Sequence, residues 1–490
     1  VLAGAAALAT VGACGSSKPQ ASPTPSVTSS RSHAVTPTAP ASSSVTSPAS
    51  ACPDAYLPPD PQRPKVTLHF SLAADHRSVT GQERVVFTPD QPITELVYRL
   101  WPNGRDHFLG GSLTVSRAEV SGKLTTPKLE SAGGRPGTPG TLLTLPLGKT
   151  VPAGQSVTTV LDFTLQLPPA FIDRLGSDGA TAWWATSAPL LAWVRGVGWV
   201  RTPGSSTPAE MAVSEDATLD LTVDAPAADT VLANGLAASP TDIGSGRRSW
   251  HFTSPNARDV AVAVGRFQIV SQAVATPDGP VKVRIGTAPG LDLPNAQVLS
   301  ELSRSLPLLV SHFGPYPFNS LTLVTLPALS GTGIEYPGMI YLGQDADQSV
   351  VTHELAHMWF YGLVGDDQEL HPWMDEAFAT AAEEIVDAEL FGGTAAPGSG
   401  PNAGDDPRPV DLPVSAFEHD LPGYNTVIYF KGANALVGAR QAAGAGAFDK
   451  ALRCYANAFA WRVAYPADFA KAMSGLPRAV TVLRKDGAIR

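Results

Sequence analysis

The sequence predicts an α+β protein in which an antiparallel, β-rich part precedes a mainly helical part carrying a small sheet. Two patterns carry this prediction. From about Tyr56 to Gln272 apolar and polar residues alternate with a period of two, whereas from Pro294 onward the apolar residues recur at helical spacing. A third observation sets the beginning apart. Between Cys14 and about Ser50 there is almost no large apolar side chain to bury, so no packed element is expected there.

The opening segment, residues 1–13 (VLAGAAALATVGA), is apolar and built of small residues, but it is too short to span a bilayer. It reads as the remnant of an export signal. Its end, Val11-Gly12-Ala13-Cys14, resembles a bacterial lipobox, which makes Cys14 the predicted lipidation site. Residues 14–55, rich in Ser, Thr and Pro, are predicted to be a disordered tether. A lipid on Cys14 followed by a spacer implies a folded body held at the outer face of a bacterial cell membrane. Of the three cysteines, Cys52 and Cys454 remain. Outside the cytoplasm they could pair, but sequence separation does not report how closely their Cα atoms approach.

In the β-rich part, residues 56–272, the strand candidates are Val66–Phe70, Val79–Phe87, Leu96–Leu100, Leu142–Leu145, Leu161–Leu167, Leu219–Asp224 and Asp259–Phe267. Gly, Pro and Asp clusters separate them, as antiparallel connections require. The second part, residues 273–490, begins with a strand at Val281–Ile285. A helix follows from Pro294 to Phe313, with Val298, Leu302, Leu306, Leu309 and Phe313 on one face. A strand near Leu321–Leu326 and a Gly-rich turn at Gly331–Gly338 lead into a helix from about Ser349 to Tyr361. Gly392-Gly393 closes the next helix, Thr394–Pro413 reads as a mobile loop, and helices are expected near Gly432–Ala442, Ala447–Ala458 and Ala467–Met473. The net charge of -10 offers no broad basic surface, which argues against a nucleic-acid partner.

Within the predicted helix at 349–361 stands His353-Glu354-Leu355-Ala356-His357. Residues four apart share a helix face, so two imidazoles can ligate one zinc ion while Glu354 addresses a water beside it as general base. A catalytic zinc takes a third protein ligand and keeps one position open. Glu376, at the start of the following helix and separated from His357 by eighteen residues, is the candidate. Glu383 lies on nearly the same face of that helix, about 10 Å further along, too far to ligate but placed to accept the other ring N–H of a zinc histidine. His371 reads as a loop residue.

These motifs resemble the gluzincin aminopeptidases typified by aminopeptidase N and leukotriene hydrolase. Their signature is HExxH, eighteen residues, then Glu, and the flanks HELAHMWF and WMDEAFA are similar too, as is Phe313-Gly314-Pro315-Tyr316-Pro317-Phe318. The resemblance implies a saddle-like β-sandwich followed by a thermolysin-like catalytic domain, one zinc ion, and peptide or protein substrates cut from the amino end. It makes Glu335, in Thr332-Gly333-Ile334-Glu335-Tyr336, the residue that receives the substrate's α-amino group, with Gly333 beside it in the substrate site. That segment departs from the family's GxMEN strand at Thr332, Ile334 and Tyr336, from which a reshaped first side-chain pocket is expected. Tyr429, in Tyr429-Phe-Lys431-Gly432, takes the place of the family's oxyanion-stabilising tyrosine, with Tyr424 as the fallback. An endopeptidase, or a lipid-anchored binding protein with a non-catalytic zinc, are the competing readings. Compared with larger relatives, the expected cleft is more open.

Overall fold

The computed structural model describes residues 52–104, 111–133, 140–169, 174–204, 213–398, 400 and 403–490. Cys14, the signal remnant and the tether up to Ala51 lie outside the described residues. Residues 52–490 form one compact unit.

Alternation builds the amino-terminal half. Strand Val157–Gln166 buries every second residue, and the same holds for Ala217–Pro226. These two strands and Lys65–Leu72, Ser78–Phe87, Arg247–Ala257 and Ser112–Val120 make up most of a nine-stranded sheet. Its neighbours run antiparallel except Lys65–Leu72 and Ala217–Pro226, which pair in parallel with Leu68 opposite Leu221. Smaller sheets centred on Ile93–Arg99 and on Ala261–Gly265 cover its apolar face. Phe70 packs edge-on against both Phe163 and Trp184 in the resulting core.

The second half opens with a five-stranded mixed sheet in the order Gln268–Val274, Val281–Thr287, Leu321–Thr325, Met339–Leu342, Gly333–Tyr336. Helix α1 (Asn295–Phe313) crosses between its second and third strands and buries the predicted stripe of Val298, Leu302, Leu306, Leu309 and Phe313. Helix α2 (Gln348–Ala356) starts where the Asp347 carboxylate accepts from the backbone N–H of Ser349 and Val350. It stops at Ala356, short of the expected end at Tyr361. The backbone N–H groups of Gly362, Leu363 and Val364 turn back to the carbonyls of His357, Met358 and Trp359, and Tyr361 adopts φ 99° to make that turn. Helix α3 (Trp373–Phe391) ends on Gly392 in the left-handed conformation, as the paired glycines predict.

The loop expected to be mobile is pinned over its described residues 403–413. Lys431 Nζ donates to the carbonyls of Asp406 and Arg408, and Val410 N–H donates to Asp486 O. Two ties knit the halves together. Tyr341 of the five-stranded sheet donates its hydroxyl to Val262 O at 2.7 Å. Cys52 and Cys454 form a disulfide with Cα atoms 4.9 Å apart, fixing the first described residue to helix Ala445–Phe459. Beside it, Tyr56 donates to Pro315 O and accepts from Trp359 Nε1.

Candidate metal centre

Both histidines of the motif point the same way because they lie one turn apart on α2. His353 Nε2 is 3.3 Å and His357 Nε2 3.5 Å from the same atom, Glu376 Oε2 on α3. The outer ring nitrogens are spoken for. His353 Nδ1 lies 3.2 Å from Glu383 Oε2, and His357 Nδ1 lies 2.6 Å from Asp375 Oδ1. A carboxylate only accepts, so each Nδ1 carries a proton, which leaves each Nε2 to offer a lone pair to a bound metal or, without one, a proton to Glu376. Gln368 Nε2 donates at 2.8 Å to the other Asp375 oxygen, fixing that carboxylate in turn.

This donor set fits a zinc ion. Tetrahedral zinc with nitrogen and oxygen ligands at about 2.1 Å sets its donors about 3.4 Å apart, which the separations of 3.3 and 3.5 Å match. All three donor atoms fall within 4.8 Å of one another. Two imidazoles and one carboxylate leave a coordination position open, unlike the closed sets of structural sites.

Electrostatics separates the carboxylates. Burial works against ionising Glu376, but hydrogen bonds from both imidazoles outweigh it and hold the carboxyl well below the usual range. Glu354 receives no such help. Burial pushes it up to about 7, against the opposing pull of His353 and His357. Its Oε2 is buried with no hydrogen-bond partner among the described residues. For His353 burial again disfavours the charged form, yet Glu376 and Glu383 lift its pKa to about 10, so without metal the pocket holds a proton where a cation fits.

Two glycines let the surrounding elements close in. A Cβ at Gly333 would stand 2.4 Å from Glu354 Cγ, so the edge strand Gly333–Tyr336 lies against the Glu354 side chain only because residue 333 has none. Glu335, on the same strand and 3% exposed, has a carboxylate oxygen within 4.8 Å of both Glu354 and His357 donor atoms. A Cβ at Gly432 would meet Ala377 Cβ at 2.5 Å. Gly432 therefore allows the π-helix Asn425–Lys431 to approach α3 and deliver Tyr429, whose hydroxyl donates to Glu376 Oε1 at 2.6 Å. Such π segments recur at functional sites. The Tyr429 ring stacks on His353 with centroids 6.0 Å apart. Tyr424 is buried behind it against Phe417. His371 bonds Asp411 at 2.6 Å and takes no part.

The structure thus brings together His353, Glu354, His357, Glu376, Glu383, Glu335, Gly333 and Tyr429. Sequence reasoning missed Asp375 and Gln368. The signal for Asp375 was present: a metal-binding histidine needs an acceptor on its second nitrogen, and Asp375 sits next to the third ligand.

Two imidazoles from an HExxH helix and a glutamate from the next helix define a gluzincin-type metal centre. Residues 299–482 match the model of the Peptidase family M1 domain. The chain is 26% identical over 227 residues to "Aminopeptidase M1-A" of Oryza sativa subsp. japonica, covering 41% of this chain and 26% of that protein. To "Aminopeptidase N" of Streptomyces lividans it is 26% identical over 277 residues, covering 49% and 31%. It spans about a quarter to a third of the length of these curated relatives. Among solved structures, the M1 zinc metallopeptidase from Deinococcus radiodurans superposes with a TM-score of 0.66 at 22% identity, covering 87% of this chain and 94% of that one. A mutant of that protein was solved bound to a Tyr-Ser-Ala substrate. Over residues 299–482 the chain is thus similar to the Peptidase family M1 domain, and it is similar over a longer stretch to aminopeptidases of the gluzincin, aminopeptidase N-like family.

Proposed function

We propose that the protein is a zinc-dependent aminopeptidase, and the observation that carries this is the convergence of His353 Nε2 and His357 Nε2 on Glu376 Oε2 with Glu354 and Glu335 beside them. A zinc ion held by these three residues supplies Lewis acidity to the scissile carbonyl and to a water molecule. Glu354, poised near neutrality, takes the proton from the attacking water and delivers it to the leaving amine. Tyr429 donates its hydroxyl to the oxyanion, moving off Glu376 Oε1 to do so. Asp375 and Glu383 hold the two imidazoles in the ligating tautomer. Glu335 receives the α-ammonium group of the substrate, which sets the first peptide bond at the metal.

The test compares hydrolysis of amino-acyl reporter substrates with that of their N-acetylated counterparts, with and without a chelator. Loss of activity on chelation and on acetylation is expected. Equal turnover of acetylated substrates would leave Glu335 without its role and make the enzyme an endopeptidase.

The same reading places the protein at the outer face of a bacterial membrane, anchored through a lipid on Cys14. It is supported by the lipobox-like Val11-Gly12-Ala13-Cys14, the Ser/Thr/Pro tract behind it, and the Cys52–Cys454 disulfide, which suits an oxidising compartment. Among the described residues no helix is long and apolar enough to cross a membrane. Cys14→Ala is expected to abolish labelling by a radioactive fatty acid and release the protein from the membrane fraction. Unchanged labelling would exclude Cys14 as the anchor.

A further inference from the structure

The nine-stranded sheet carries a carboxyl where its alternation calls for an apolar residue. Glu83 occupies an inward position of strand Ser78–Phe87, opposite Leu68 on one side and Leu161 on the other, and is 4% exposed. Its Oε2 is buried without a hydrogen-bond partner among the described residues. The hydroxyl of Tyr98, near enough for Glu83 to act on it electrostatically, is engaged by Thr159 Oγ1 at 2.5 Å. Burial alone drives the Glu83 carboxyl well above its usual range, with no cation offsetting it. Folding gains nothing from such a group, since a leucine would fit the alternation better.

Glu83 faces a cavity. A cavity of about 40 Å³, room for roughly three water molecules and open at its mouth, lies between the sheet residues Val66, Leu68, Val85 and Leu219 and the facing Leu191, with Arg258 and Asp259 among its walls. The Arg258 guanidinium is occupied by Ser214 O at 3.0 Å. The walls are thus mainly apolar, the Asp259 carboxylate accepts from the Thr186 hydroxyl and the Val260 N–H, and Glu83 is left as the lining acid with an unsatisfied oxygen among the described residues. We propose that it is a binding site for a small molecule with an aliphatic stem and a primary amine head, the amine seated on the Glu83 carboxyl and the stem among the apolar walls. The chemistry selects the class. One proton passes from the carboxyl to the neutral amine, giving a carboxylate and an ammonium in contact, so no net charge enters the interior. An anion would meet the acid unfavourably, and a hydrocarbon would leave it unsatisfied.

The amine-recognising role proposed for Glu335 must be kept apart from this site, so the test uses the zinc-loaded full chain carrying Glu335→Gln. Calorimetric titration with n-butylamine is expected to show saturable binding that is weakened at least about tenfold by Glu83→Gln and abolished by Glu83→Leu. n-Butanol, with the same stem, is expected to bind at least about tenfold more weakly than the amine. Glu83→Leu in the otherwise native chain is expected to leave hydrolysis of reporter substrates unchanged and to raise the unfolding temperature. Should Glu83→Leu fail to fold, Glu83→Gln keeps the shape and gives the same readout. The proposal falls if n-butylamine shows no saturable binding up to about 100 mM, or if the Glu83 variants bind it as the parent does. Failure of the aminopeptidase reading would show separately, in the hydrolysis assay of the native chain.

Discussion

Gly333→Ala places one methyl group in the space of the proposed general base. The added Cβ falls 2.4 Å from Glu354 Cγ, 2.5 Å from Cδ and 2.7 Å from Oε1. Carbon atoms pack at about 3.5–4.0 Å, so the deficit is roughly 1 Å. The strand cannot absorb it, because Gly333 is paired with Leu342 and Gly343 N–H donates to Thr332 O at 2.8 Å. Nor can α2, which is capped at Asp347 and packed against α1 and α3. The Glu354 side chain must therefore turn away. Misplacing a reacting group by about 1 Å costs about 10²-fold, or roughly 2.7 kcal/mol in the barrier. The backbone at 333 is not in the left-handed region, so alanine adds no torsional strain and the clash is the whole perturbation. The three atoms nearest the methyl all belong to Glu354, so zinc content should stay at the native ratio. The assay is kcat on an amino-acyl reporter together with metal analysis. A kcat within about threefold of the parent with zinc fully bound would refute the reasoning, and so would loss of zinc in step with activity.

Glu354→Gln should keep its zinc and lose about 10²–10⁴-fold in kcat; near-normal turnover would move the base elsewhere. Asp375→Asn disturbs the acceptor that fixes His357, and zinc affinity measured by chelator competition should fall about 10–100-fold; unchanged affinity would reduce the 2.6 Å contact to packing. Tyr429→Phe should lower kcat about 10²–10³-fold, and a variant as fast as the parent would remove the tyrosine from the oxyanion role. Cys52→Ser opens a bridge across a sequence separation of 402 residues and should cost about 2–4 kcal/mol in denaturant unfolding, checked against the reduced native protein. A hydrogen bond to Asp229 raises the pKa of buried His76, so its stabilisation is complete below the unfolded value of about 6.5 and fades as the pH climbs through the folded one. The penalty of His76→Gln should thus be larger at acid than at alkaline pH, and the opposite trend in urea melts would contradict the pairing.

The convergence of the candidate metal ligands was legible because spacing along one helix is itself geometry: His353 and His357 must share a face, and only the partner from α3 had to be found. The β strands were legible wherever one face is buried, as in Val157–Gln166. Other features were hidden for physical reasons. Parallel pairing of Lys65–Leu72 with Ala217–Pro226 joins strands far apart in sequence, and alternation does not report partner or direction. The early end of α2 depends on Tyr361 accepting a positive φ that its residue type disfavours, a cost met by burial and by a hydrogen bond to Asp259. The pinning of residues 403–413 rests on Lys431 reaching two carbonyls, and composition alone reads that loop as free. The disulfide needed the approach of two Cα atoms from opposite ends of the folded unit.

Glu354 and Glu376 are the same residue type in the same buried pocket, and what distinguishes the proposed ligand from the proposed base is the supply of donors. Two imidazoles and the Tyr429 hydroxyl converge on Glu376, so its negative charge is compensated in place and it stays ionised. Glu354 has a buried oxygen without a partner and a carboxyl pushed up to about 7, so it exchanges a proton at little cost near neutrality. A divalent cation between the imidazoles favours ionisation of both, and of Glu376 more strongly because Glu376 touches it, so the order of the two carboxyls is preserved. Environments that drive two like groups apart in proton affinity assign acid–base roles without reference to any relative. By that criterion Glu376 cannot serve as the base, and Gly333, by making room for Glu354 without offering it a hydrogen bond from a side chain, helps keep the other carboxyl available for the task.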